Sequence, residues 1–182
     1  GERIRRFSAR AGVERGIGYL PRERKVEGIV NGMNVYENMT LSQLQNYSYA
    51  GVLKVAMEKN LARDWINRLG IKTPSENKDC AGLSGGNQQK VVLAKWRSGG
   101  SDIMLLDHPT RGLDIGAKED VYEMIREMSV DGVGIILVAD TLEEAIGLSH
   151  TILVLKDGKI QKRFDATPGS KPSLYDLVHY MI

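Results

Sequence analysis

The chain has 182 residues, enough for one domain with a sizeable core, and its 42% hydrophobic and 26% charged residues are those of an ordinary soluble globular protein. A net charge of +2 is too small to argue for nucleic acid or an anionic membrane as a partner. The single cysteine, Cys80, excludes an intrachain disulfide and reads as a small semi-polar residue before a loop, while the longest apolar stretches, 103–106 and 133–139, fall far short of the ~20 residues a membrane crossing needs.

The first residues, GERIRRFSAR, are basic but carry no apolar run of the kind a signal peptide needs. Residues 18–20 read as the end of a short strand, stopped by Pro21 at the start of the charged loop PRERKVEG (21–28). From residue 34 to 69 the pattern is helical. Leu53, Met57, Leu61 and Trp65 recur every fourth residue, with Ile66 and Leu69 on the same side, which predicts a stripe facing the core. Gly70 stops that helix, and Thr73-Pro74-Ser75 begins a loop.

The loop leads to LSGGNQQK (83–90), which places Ser84, Gly85 and Gly86 before a helix predicted over about 87–96. A helix N-terminus offers unpaired N–H groups and the positive end of the helix dipole. Two glycines let an anion approach that backbone, and a serine hydroxyl adds a donor, so the stretch suits a phosphate. A plain Ser/Gly helix cap accounts for the same three residues.

The second half alternates strand and helix. In IMLLDHPTRGLD (103–114) an apolar strand runs into Asp107, the carboxyl-end position where α/β proteins put ligands. Asp107 can there hold Mg²⁺ beside nucleotide phosphates, or cap a helix. Residues 118–129 form an amphipathic helix with Val121, Met124, Ile125 and Met128 on one face. Residues 135–138 read as a buried strand, and Thr141 with Glu144 fits a capping box for the next helix. Strands over 151–155 and 160–164 flank Lys156-Asp157-Gly158-Lys159, a hairpin signal, and Ser173 caps a last helix bearing Leu174, Leu177, Val178 and Met181. This alternation predicts an α/β fold with a largely parallel sheet.

Taken together, GIGYLPRERK (16–25), LSGGNQQKV and LLDHPTRGLDIGAK closely resemble the ATP-binding subunits of ABC transporters, and within them the second nucleotide-binding half of the sugar-importer branch. The tail IILVADTLEEAIGLSHTILVLKDGKI follows the same order, so the resemblance spans nearly the whole chain. It implies a P-loop NTPase core of ABC type plus a helical signature subdomain. Residues 1–30 would be an N-terminal core segment with the Q-loop, 31–96 the helical subdomain ending in the signature motif, and 97–182 the C-terminal core with Walker B, D-loop and switch. It implies ATP and Mg²⁺ as ligands. Ser84, Gly85, Gly86, Asn87 and Gln88 would form a signature motif closing over nucleotide held by a second nucleotide-binding domain, with Asp114 of the D-loop at the same seam and Asp107 as the Walker B carboxylate. Transmembrane permease subunits would be partners, a solute-binding protein only indirectly, and the location would be cytoplasmic, against the inner face of the plasma membrane.

Several features depart from that pattern. No GxxxxGK[ST] phosphate loop occurs in these residues, whose one Gly-Lys pair, Gly158-Lys159, is followed by Ile160. The chain is therefore expected to match the C-terminal two-thirds of one nucleotide-binding domain, with exposed apolar surface and marginal stability. His108 stands where the general-base glutamate belongs, Asp140 at the switch position and Arg22 at the Q-loop position. A histidine accepts a proton near neutral pH, losing a general base costs about 10²–10⁴-fold in rate, and a carboxylate at the switch would repel a γ-phosphate. A catalytically silent binding module is one alternative. The C-terminal head of a chromosome-maintenance ATPase is another, disfavoured because residues 1–80 carry no sustained heptads and the NQQK and TRGLD stretches favour transport.

Overall fold

A computed structural model of the chain describes residues 8–182. Residues 1–7 of the expected N-terminal segment lie outside the described residues. The chain forms two compact units, one ending at Ile136 and the other comprising Leu137–Ile182.

In the first unit a short helix α1 (Ala9–Glu14), capped by Ser8, leads into strand β1 (Ile17–Leu20). β1 pairs in parallel with β4 (Ile103–Asp107), with Ile17 opposite Ile103 and Leu20 opposite Leu106, and β4 lies between β1 and β5 (Gly134–Val138). Alternation separates the two faces of the sheet. Leu20, Met104 and Leu106 are buried, whereas Tyr19 and Ile103 on the other face are 42% and 40% exposed. The buried face packs on α4 (Gly85–Ser98), and Gly18 explains how closely. A Cβ there would sit 2.6 Å from the Met104 sulfur and 2.8 Å from the Trp96 Cβ. Val91–Ala94 of α4 are buried, as are Val121, Met124, Ile125 and Met128 of α5 (Ile115–Val130), the face the periodicity predicts.

The region 34–69 departs from a continuous helix. Helix α2 (Val35–Thr40) gives way to a 3₁₀ segment (Leu41–Tyr47), a hairpin of β2 (Ser48–Tyr49) and β3 (Val52–Leu53), and only then α3 (Val55–Arg68). The turn Ala50-Gly51 has positive φ at both residues, a conformation no helix accommodates. The predicted apolar stripe is realised only in part, with Leu61, Trp65, Ile66 and Leu69 half-buried. Leu53 and Met57 are 43% and 52% exposed, and the buried residues of α3 are Glu58 and Ala62. A hydrogen bond turns the helix: buried Thr40 donates from Oγ1 to Glu58 Oε1 at 2.7 Å, so a carboxylate occupies the inward position. Fully buried Asn38 accepts from the Val30 N–H and donates to the Val30, Met33 and Asn34 carbonyls, tying the preceding loop to α2.

In the second unit, β6 (Thr151–Lys156) and β7 (Lys159–Asp165) form the predicted antiparallel hairpin, and Asp157 and Gly158 both have the positive φ that such a turn needs. Ile152, Val154, Ala166 and Leu177 make its core, with Leu177 from α7 (Leu174–His179), which Ser173 caps. Helix α6 (Leu142–Leu148) is capped by Thr141, whose side chain accepts from the Glu144 N–H. The Glu144 carboxylate accepts instead from the Asp140 N–H at 3.0 Å.

Candidate functional site

Helix α4 begins two residues earlier than the LSGGNQQK stretch predicts. Ser84 is the N-cap of α4, with φ −61° and ψ 158°, and Gly85 and Gly86 form the first turn. Both glycines answer to the fold before any ligand. A Cβ on Gly86 would lie 2.7 Å from the Ala117 Cβ, so Gly86 lets α4 and α5 approach at their N-termini, and a Cβ on Gly85 would collide with the Arg24 guanidinium. Ser84, Gly86, Asn87 and Lys90 on one side, with Asp114, Gly116 and Asp120 on the other, line an open cleft that Lys72 borders. Lys90 and Asp120 form an ion pair at 2.8 Å across it. Asp114 caps α5, accepting from the Ala117 N–H at 2.9 Å.

Gln88 does not join this cleft. It is 2% exposed and its amide donates to the Cys80 and Ala81 carbonyls, because the α-helical turn carries the fourth residue after the cap into the core. Asn87 is half-buried and bonded at both ends of its amide, to the Lys72 N–H at 2.7 Å and the Ser84 hydroxyl at 2.8 Å.

At the end of β4, Asp107 is also engaged twice. Its Oδ1 lies 2.6 Å from His108 Nδ1, and its Oδ2 accepts from the Tyr19 hydroxyl at 3.4 Å. His108 reaches back to its neighbour because its φ is +49°, the left-handed conformation at which the strand turns. With Asp107 as acceptor, the neutral ring donates from Nδ1 and presents Nε2 as its basic atom. Burial, then the charges of Asp107 and Glu27, push the Tyr19 phenol up. Among the described residues no cluster of three or more His, Cys, Asp or Glu could hold a metal ion. Asp107 is a single carboxylate, which fits a Mg²⁺ ion that keeps waters and phosphate oxygens as its remaining ligands.

Arg22 is exposed in the loop after β1. Arg24, two residues on in a short π-helical turn (Arg24–Gly28), is the residue that reaches the first turn of α4. It donates to the Arg111 carbonyl at 2.8 Å and lies against Gly85, and burial lowers its pKa. Glu23 pairs with Arg111 at 3.0 Å, so the post-β1 loop is tied to the TRGLD stretch from both sides. Sequence reading missed Arg24 and Tyr19. The only available signal for Tyr19 was strand alternation, which puts it on the face of β1 that meets Leu105 and, one pleat on, Asp107. Asp140 belongs to the second unit, immediately before the cap of α6.

Comparison with known proteins follows the same lines. A family described as "ABC transporter" matches residues 1–111. The chain is 40% identical over 161 residues to a ribose import ATP-binding protein, RbsA, of Geobacillus kaustophilus, covering 88% of this chain and 33% of that protein. It is 40% identical over 159 residues to an arabinose import ATP-binding protein, AraG, of Rhizobium meliloti (87% and 31% covered), and 44% over 161 residues to AraG 2 of Burkholderia ambifaria (88% and 31%). The chain thus spans about a third of the length of these curated relatives. Among solved structures, a dimeric form of the bacterial ABC transporter cassette MJ0796 superposes with a TM-score of 0.70 over 87% of this chain and 66% of that one, at 22% identity. Its post-hydrolysis dimer bound to ADP and Pi gives 0.68 over 84% and 63%.

Proposed function

We propose, from the premise that this chain belongs to the ABC transporter family, that it is the signature-bearing part of the ATP-binding component of an importer for sugars or related solutes. The observation that carries this reading is the cleft in which Ser84, Gly86 and Asn87 at the start of α4 face Asp114 at the start of α5. Two helix N-termini converge there, and each supplies unpaired N–H groups and positive dipole to an anion. Nucleotide held by the phosphate loop of a second nucleotide-binding domain would meet these groups through its terminal phosphate. ATP would thereby bridge the two domains, and its hydrolysis would release them to move permease subunits in the membrane, with a solute-binding protein acting only through those subunits. The dimeric ATP-binding cassettes of the same fold support a two-domain assembly. The part would work on the cytoplasmic side of the plasma membrane. Among the described residues no helix is long and apolar enough to cross a membrane, which accords with attachment through partner subunits.

Asp107 is the residue that would hold Mg²⁺, which when bound neutralises phosphate charge. His108 and Asp140 would stand at the general-base and switch positions, and Arg22 at the Q-loop position beside Arg24. A second reading, a catalytically silent module, draws on the 2.6 Å bond by which His108 occupies one Asp107 oxygen. The test is calorimetric titration with Mg-ATP of the chain alone, then mixed with a phosphate-loop-bearing half from the same system. Silence alone and binding on mixing is the expected result. Micromolar binding and turnover by the chain alone would overturn it.

A further inference from the structure

We propose that Asn87 is a positioning residue: it orients the Ser84 hydroxyl so that its proton points into the cleft, and it is itself held for this by the backbone of Lys72. The inference rests on the reading that Ser84 meets a nucleotide phosphate, and it assigns Asn87 to the serine and not to the nucleotide.

The polarity of the chain of bonds is forced. The Lys72 N–H can only donate, and it lies 2.7 Å from one end of the Asn87 amide, so that end is the carbonyl. The other end, 2.8 Å from Ser84 Oγ, is therefore the NH₂ group, and Ser84 is the acceptor. A hydroxyl that accepts on the Asn87 side must carry its hydrogen elsewhere. It is not spent within the fold: among the described residues the Ser84 hydroxyl donates to no acceptor, its bond being the one it accepts from Asn87. Ser84 is exposed, and its one O–H is available to an anion in the cleft. A serine left to rotate would offer donor and lone pairs indifferently, whereas this one is pre-set as a donor, and a pre-set donor binds without first losing rotational freedom.

The second link has a consequence for the fold. Lys72 belongs to the loop after α3, so one side chain joins that loop to the first turn of α4. Asn87 is half-buried, its carbonyl is used by Lys72, and its amide faces the serine, which leaves it one N–H.

The experiment is a double-mutant cycle on Mg-ATP binding by the chain mixed with the phosphate-loop-bearing half, with amide hydrogen exchange as a separate readout. Ser84→Ala should weaken binding by about tenfold, the loss of one hydrogen bond to a charged group. Asn87→Ala should weaken it by roughly three- to tenfold alone and by nothing further in the Ser84→Ala background. Asn87→Asp keeps the Lys72 bond but accepts the Ser84 proton, so it should cost at least as much as Ser84→Ala. Independently of nucleotide, the Lys72 amide should exchange faster in Asn87→Ala and unchanged in Ser84→Ala. If Asn87→Ala keeps its full effect in the Ser84→Ala background, Asn87 touches the nucleotide itself and the proposal fails. Unaltered Lys72 exchange in Asn87→Ala would also defeat it, since the tether would not exist. A silent Ser84→Ala would instead bring down the functional reading beneath it.

Discussion

At the scale of single residues, the chemistry here is set by what each polar group is bonded to. His108 is the clearest case. Its contact with Asp107 predicts the Nδ1–H tautomer, with Nε2 as the basic atom. ¹⁵N chemical shifts of the neutral ring should show this tautomer, and an Nε2–H tautomer would remove the argument for His108 as a base. Cys80 is the opposite case, a group disabled by burial. It is fully buried, and burial pushes its thiol from 9.0 up to about 11. A folded-state value above the unfolded one stabilises the fold below about pH 9, and that contribution is lost as pH rises through about 11. Native protein at pH 8 should therefore resist iodoacetamide and become reactive only on unfolding. Rapid labelling of the folded chain would show that the thiol is not shielded.

At the scale of elements, small residues and buried amides decide which helices approach. Gly86→Ala should destabilise the chain by about 1–3 kcal/mol, because its methyl group meets Ala117 at 2.7 Å. Pairing it with Ala117→Gly should restore most of the loss, and a denaturant midpoint measures both. Failure of the second change to compensate would place the strain elsewhere. Asn38→Ala should cost about 1–2 kcal/mol, since it leaves the Val30 N–H without its acceptor and removes the side-chain donor from three carbonyls that keep a backbone partner. The motif serines, glycines and acids were legible in the sequence because their spacing is local. The break at residues 48–53 was not. Periodicity across it looked continuous, and only the Thr40–Glu58 bond, 18 residues apart, shows which face of α3 turns inward.

At the scale of the whole molecule, the sheet carries the main liability. Parallel strands are ordinarily covered on both faces, yet Tyr19, Ile103 and Ile136 remain exposed, the last at 62%. Melting of the isolated chain should accordingly be broad and low, with binding of a hydrophobic dye. A sharp, high transition without dye binding would count against it. The second unit rests on a small core, so the amides of β6 and β7 should lose exchange protection at lower denaturant than those of β4.

Outside residues 34–69 the sequence by itself determined the order of the main strands and helices, the 156–159 hairpin turn, the cap residues and the family, because each is written in neighbours within a few positions of one another. Tertiary structure alone decided that Gln88 faces the core while Asn87 faces Ser84, that Arg24 and not Arg22 reaches Gly85, and that Tyr19 and His108 share Asp107. Those outcomes depend on residues up to 88 positions apart meeting at one carboxylate, and no local spacing encodes such a meeting.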